Sequence, residues 1–221
     1  MKYDAPMLFH RTLYIAAFLA VLAIGVAGCE KDTTRTFRGE MKKSFSKPTP
    51  EQYLAMTGSP NPDERREGLA GLAKNPKTLS EALPLYAAVA GNEGEEVPVR
   101  AVAIHALGRA GNTLHLPVLV ACLDDESPRV RWEAATALDQ LPGKPAAEPL
   151  RRLVIADPAA DVRAACATAL RHYNQPDVIA SLARALNDGN FTVRHNAHKT
   201  LVEITGKDIG HEPKPWLELV K

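Results

Sequence analysis

An all-α solenoid, made by stacking about five helix–turn–helix repeats, is the fold class this sequence predicts. Three observations predict it. The pair Val-Arg recurs at Val99-Arg100, Val130-Arg131, Val162-Arg163 and Val193-Arg194, at spacings of 31, 32 and 31 residues. Each pair is followed at fixed distances by a small residue and then a small residue with leucine. These are Ala103 with Ala106-Leu107, Ala134 with Ala137-Leu138, Cys166 with Ala169-Leu170, and Ala197 with Thr200-Leu201. Composition is the third: 34 alanines and only 5% aromatic residues within a 45% apolar chain of 221 residues. A core of that kind is filled by small side chains between closely packed helices.

The first element reads as an address. Lys2 and Arg11 precede a fourteen-residue run without a charge, Leu13 to Val26, the length of an export signal's apolar stretch and short of the roughly 20 residues a membrane-spanning helix needs. The run ends at Val26-Ala27-Gly28-Cys29, followed by Glu30, Lys31 and Asp32. These four residues resemble the lipobox of bacterial lipoproteins. The resemblance implies cleavage between Gly28 and Cys29, a diacylglyceryl thioether on the Cys29 sulfur, and an exported, lipid-anchored protein. It would face the periplasm from the cell membrane or the outer membrane. Residues 1–28 are therefore expected to be a signal peptide, 29–48 a lipidated cysteine with a flexible linker, and 49–221 the solenoid with its terminal caps. The linker is mildly basic, with six lysines and arginines against three acids between Glu30 and Lys47.

Within the solenoid, Thr49-Pro50-Glu51-Gln52 has the form of a capping box and is expected to start an N-terminal cap helix. Offsets 0, +4, +7 and +8 from each repeated valine share one face of a 3.6-residue helix, so every repeat opens with an amphipathic helix. A degenerate earlier copy carries Arg65, Gly68, Gly71 and Leu72, 35 residues ahead of Arg100. Asn61-Pro62, Ser127-Pro128 and Asp157-Pro158 supply the pattern of an N-cap followed by proline in the first turn. A second apolar run follows each first helix, at 79–90, 115–123, 148–156 and 177–186, with early prolines at Pro84, Pro117, Pro149 and Pro176. One such pair cannot bury its apolar face alone, so the pairs must stack. Trp216, beyond the Gly206–Pro215 loop, is expected to cover the last repeat's apolar edge.

The copies resemble HEAT repeats of the short, phycobilisome-lyase-like type, through Asp124-Asp125-Glu126-Ser127-Pro128-Arg129-Val130-Arg131 and Asp188-Gly189-Asn190-Phe191-Thr192-Val193-Arg194. Asp157 precedes Val162 by the same interval. The ends, Asn61 to Leu69 and Ile204-Thr205-Gly206-Lys207-Asp208 with Pro213-Lys214-Pro215-Trp216, resemble bacterial HEAT-repeat lipoproteins. That likeness implies an envelope-facing scaffold and no assigned activity.

Candidate sites are sparse. The recurring Arg100, Arg131, Arg163 and Arg194 are expected to be structural, each bonding the Asp or the carbonyls of the preceding inter-repeat turn, with Asp125, Asp157, Asp161 and Asp188 as the balancing acids. His195, His198 and His211 offer too few converging donors for a metal site and are expected to be solvated. Cys122 and Cys166 are expected to be buried core residues. In HEAT solenoids the second helices line the concave face, and there Tyr86, His115, Arg151, Arg152 and Arg184 are the candidate partner-binding residues. Arg151-Arg152 stands out, because arginine is enriched at interface hot spots.

A net charge of +1, from 27 basic and 26 acidic residues, excludes the basic excess typical of nucleic-acid binders. No phosphate-binding glycine loop, serine elbow or metal-ligand spacing is present. The expected function is a membrane-anchored protein–protein interaction or scaffold module, without enzymatic activity, cofactor, nucleic acid or small-molecule substrate. The alternatives are a structural subunit of an envelope assembly, or a lyase-like or metal-dependent HEAT enzyme.

Overall fold

A computed structural model describes residues 47–220. The expected signal peptide, Gly28 and Cys29 of the expected cleavage and lipidation site, and the expected linker up to Ser46 lie outside the described residues. Among the described residues every regular element is helical. In chain order these are α1 (Pro50–Met56), α2 (Pro62–Leu72), α3 (Pro76–Glu81), α4 (Leu83–Ala90), α5 (Val97–Ala110), α6 (Leu116–Ala121), α7 (Pro128–Gln140), α8 (Ala147–Ala156), α9 (Ala160–Ala169), α10 (Pro176–Ala185), α11 (Phe191–Thr205) and α12 (Pro213–Glu218). Short 3₁₀ turns flank α6, lead into α8 and follow α9.

Side-chain caps mark four of the twelve starts. Thr49 and Gln52 form the expected capping box, each side chain accepting the other's backbone N–H. Asn61, Asn75 and Asn190 each accept an N–H of the first turn that follows. Gly111 and Gly206 close α5 and α11 at φ 68° and 69°, a left-handed conformation that glycine adopts without Cβ strain. Two starts differ from expectation: Ser127 precedes Pro128 at the start of α7 but its side chain makes no cap bond. The helix after Asp157-Pro158 begins only at Ala160, because Asp157 Oδ1 accepts the Ala159 N–H instead.

The helices form two layers. In the first, α2, α5, α7, α9 and α11 each pack on the next, giving five first helices. In the second, α4 packs on α6, α8 on α10 and α10 on α12, while α6 meets the turn leading into α8. Each second-layer helix from α4 to α10 also packs on the first-layer helix that follows it, and α1 covers α2. The repeated positions make the seam between the layers. Ala103, Ala134, Cys166 and Ala197 are fully buried, as are Leu107, Leu138, Leu170 and Leu201. Small residues set the spacing: a Cβ on Gly108 would lie 2.8 Å from the Ala137 Cα, so α5 and α7 approach nearly backbone to backbone. Trp216 is fully buried at the far end, its indole N–H donating to the Gly210 carbonyl at 2.8 Å.

Candidate functional site

The recurring arginines build a ladder along the first layer. Arg65 bonds Glu95 at 2.5 and 2.9 Å, and Arg100 pairs with Asp125 at 2.6 Å. Arg131 holds Asp157 at 2.7 and 3.0 Å, and Arg163 holds Asp188 at 2.7 and 2.9 Å. Each of these carboxylates belongs to the turn that follows the arginine's own repeat. The turn before it contributes carbonyls: Arg131 donates to Asp125 and Glu126, Arg163 to Asp157 and Pro158, and Arg194 to Asp188 and Gly189. The Arg131 and Arg163 guanidiniums therefore each tie two successive turns together. Asp125, Asp157 and Asp188 in turn accept the backbone N–H two residues on, which shapes the start of the next first helix. Hydrogen bonding to Arg163 holds the Asp188 carboxyl below the usual carboxylate range, and Arg65 does the same for Glu95. The ladder is thus structural, but it differs from expectation in two ways: the carboxylates come from the following turn while only carbonyls come from the preceding one, and exposed Asp161 takes no part in it.

The predicted partner-binding residues fare differently. Tyr86 is fully buried and donates its hydroxyl to the Leu69 carbonyl at 2.7 Å, so it is a core residue and not part of a binding face. Burial pushes that hydroxyl up to about 12. The cause is a register change: the apolar run 79–90 is two helices, broken at Ala82, which turns Tyr86 inward. Arg151 bonds Glu148, Asp177 at 2.5 Å and the Ser181 hydroxyl at 3.4 Å, and Arg152 bonds Asp124. Both are struts between second-layer turns and helices. His115 sits half-buried in the turn before α6, and Arg184 is exposed on α10.

Cys122 and Cys166 are buried free thiols, and burial raises both, Cys122 to about 11. His198 bonds Asp208 at 3.0 Å and lies against His211 with ring centroids 4.0 Å apart, so His198 helps anchor the C-terminal loop, whereas His195 and His211 are exposed as expected. Among the described residues no three His, Cys, Asp or Glu side chains are placed to hold a metal ion.

A concavity of about 580 Å³ lies on the first layer, between α2, α5 and α7. Its floor is apolar, formed by Ala70, Ala73, Val97, Pro98, Ala101 and Val102. Its rim carries exposed Arg66, Lys74 and Arg109. At one end Arg129 bonds buried Glu133 at 2.7 Å and lies over the Trp132 ring at 4.6 Å.

The sequence model of the HEAT-repeat family matches residues 87–171 and 149–218. The chain belongs to the HEAT-repeat family. No curated protein matches it. Among solved structures, the HEAT solenoid resembles the complex of CpcE and CpcF of phycocyanin lyase from Nostoc, with 25% identity, TM-score 0.63, 79% of this chain and 69% of that chain covered. It also resembles YibA of Escherichia coli (23% identity, TM-score 0.59, 73% of this chain and 61% of that chain). A designed armadillo repeat protein in complex with the peptide (KR)4 shares the fold at 18% identity and TM-score 0.55, covering 79% of this chain and 88% of that one. A repeat solenoid of this kind is a fold suited to protein–protein interaction.

Sequence reasoning missed the groove on the HEAT array. A signal was present: the 35-residue interval between Arg65 and Arg100 is the one departure from spacings of 31 and 32, and it falls between α2 and α5, two of the three helices that line the groove.

Proposed function

We propose that this chain is a lipid-anchored interaction module of the bacterial cell envelope, whose HEAT repeats hold a protein partner without a catalytic step of their own. The anchor reading rests on Val26-Ala27-Gly28-Cys29 and the fourteen uncharged residues before it. Two acyl chains on Cys29 would give stable membrane attachment, where one gives only marginal binding. The exported chain would face the periplasm from the cell membrane or the outer membrane.

The observation that carries the binding reading is the double set of inter-repeat ties. The Arg–carboxylate ladder on the first layer and the Arg151 and Arg152 struts on the second fix each repeat against its neighbours. Surfaces held in this way lose little conformational entropy when a partner docks, which favours recognition over chemistry. The CpcE structure is that of a two-protein complex, which supports a protein as the occupant.

The test joins mass and capture. Intact mass of the membrane-extracted chain is expected to start at Cys29 with its lipid, and the Cys29→Ser chain to lose the lipid mass. Retention of Met1 in the mature protein overturns the anchor. In-cell crosslinking through a C-terminal tag is expected to recover a discrete partner in salt-sensitive association. Stoichiometric, detergent-stable co-purification with an envelope complex would replace the module by a structural subunit.

A further inference from the structure

We infer that the groove between α2, α5 and α7 docks an acidic segment of a partner protein, with carboxylates on Arg66, Lys74 and Arg109 and an apolar side chain on the floor between them. The inference rests on the interaction-module reading and assigns that module a face and a partner chemistry. Ala70, Ala101 and Val102 with Pro98 and Val97 offer an apolar side chain contact; exposed His105 and buried Glu133 complete the lining, and Arg129 already holds the Glu133 carboxylate. The cations stand around it, exposed.

Their charge is largely uncompensated. Arg129 is taken up by Glu133 at 2.7 Å, and Arg66 leans on Asp63 at 3.3 Å in a pair exposed on both sides. Lys74 lies 5.8 Å from the Tyr53 ring centroid. Among the described residues neither Lys74 nor Arg109 forms an ion pair. The neighbouring arginines that belong to the ladder, Arg65 and Arg100, are already held by Glu95 and Asp125, so they neither compete for the ligand nor depend on it.

Charge also selects among occupants. The chain's own linker is net basic between Glu30 and Lys47 and would be repelled. Nucleic acid needs cations repeated along a track, because its phosphates recur every few ångströms. Here the basic cluster ends within one groove, and the next cleft on the same layer is lined by Asp139 and Asp161. A bilayer headgroup plane makes no use of an apolar floor below a ring of cations. An acidic, partly apolar peptide fits both parts of the site.

The probe is a fluorescein-labelled peptide alternating glutamate and leucine, read by anisotropy against the full-length chain in neutral detergent. A lysine–leucine peptide and an oligothymidylate of equal negative charge run beside it. The expected result is binding of the acidic peptide alone, weakening as salt rises. Lys74→Glu/Arg109→Glu should weaken it about tenfold, and Lys74→Gln/Arg109→Gln less. Lys214→Glu, exposed on α12 in the other layer, should leave it unchanged, with circular dichroism verifying that each variant is folded. Equal affinity for oligothymidylate, or no response to the double charge reversal, overturns the groove assignment. If the crosslinked partner is captured equally by wild type and by Lys74→Glu/Arg109→Glu, the groove fails while the module reading stands.

Discussion

At the scale of single residues, burial decides which ion pair matters. In the Arg131–Asp157 rung the side chains are 11% and 1% exposed, whereas in the Arg152–Asp124 strut they are 55% and 63% exposed. Removing one member of a buried pair leaves the other charge desolvated and uncompensated. Asp157→Ala also deletes the acceptor for the Ala159 N–H. It should therefore destabilise the fold by about 3 kcal/mol in urea titration. Arg152→Ala should cost less than about 1 kcal/mol. Acid should act through the same ladder. Asp188 is held below the usual carboxylate range by Arg163, so the folded form binds a proton less tightly than the unfolded one. Its stabilising contribution is full above the unfolded value, near 4, and is lost as pH falls through the lower folded value. Asp188→Asn should lower stability at neutral pH and flatten the acid limb of the stability–pH curve. A variant whose acid limb matched wild type would show that this rung does not govern acid unfolding.

At the scale of helices, periodicity was readable wherever the helix was continuous. The repeated valine, small residue and leucine positions all landed in the seam between layers, because a fixed 3.6-residue period carries one face inward over the whole of α5, α7, α9 or α11. Tyr86 was misread because α3 and α4 are separate helices, and a break at Ala82 resets the period. Apart from Glu148 three residues before Arg151, the carboxylates that Arg151 and Arg152 hold lie 26 and 28 residues away, so they depend on how repeats stack, which no local pattern encodes. Helix spacing makes its own prediction. Gly108→Ala gains about 1 kcal/mol in helix propensity. The added Cβ would meet Ala137 backbone at 2.8 Å, however, and backbone cannot yield as a flexible side chain can. The net effect should be destabilisation by about 2 kcal/mol, seen as a lowered denaturation midpoint. A Cβ on Gly189 would meet nothing within 4 Å, and the residue has no positive φ, so Gly189→Ala should stay within about 0.5 kcal/mol of wild type.

For the molecule as a whole, stacking is quasi-one-dimensional: each repeat touches only its neighbours, so a lesion should spread no further than its interfaces carry it. Trp216 and Leu138 separate this from global cooperativity. Both are fully buried, but Trp216 sits in α12, which packs on α10 and meets the His198 ring edge-on at 6.2 Å. Leu138 lies in α7, which packs on both α5 and α9 at the middle of the array. Trp216→Ala removes a large buried side chain, a loss of about 4 kcal/mol, and Leu138→Ala about 3 kcal/mol. If energy is passed only between neighbours, hydrogen exchange in Trp216→Ala should rise through α10, α11 and α12 and leave α2 and α5 protected. In Leu138→Ala it should rise on both sides of α7, since neither half keeps a complete interface there. Equal exchange in α2 for the two variants would mean that the five repeats unfold as one unit, and that a partner docked at the α2–α5 groove stabilises the C-terminal end as strongly as its own repeat. A graded response would confine that stabilisation to the first three repeats.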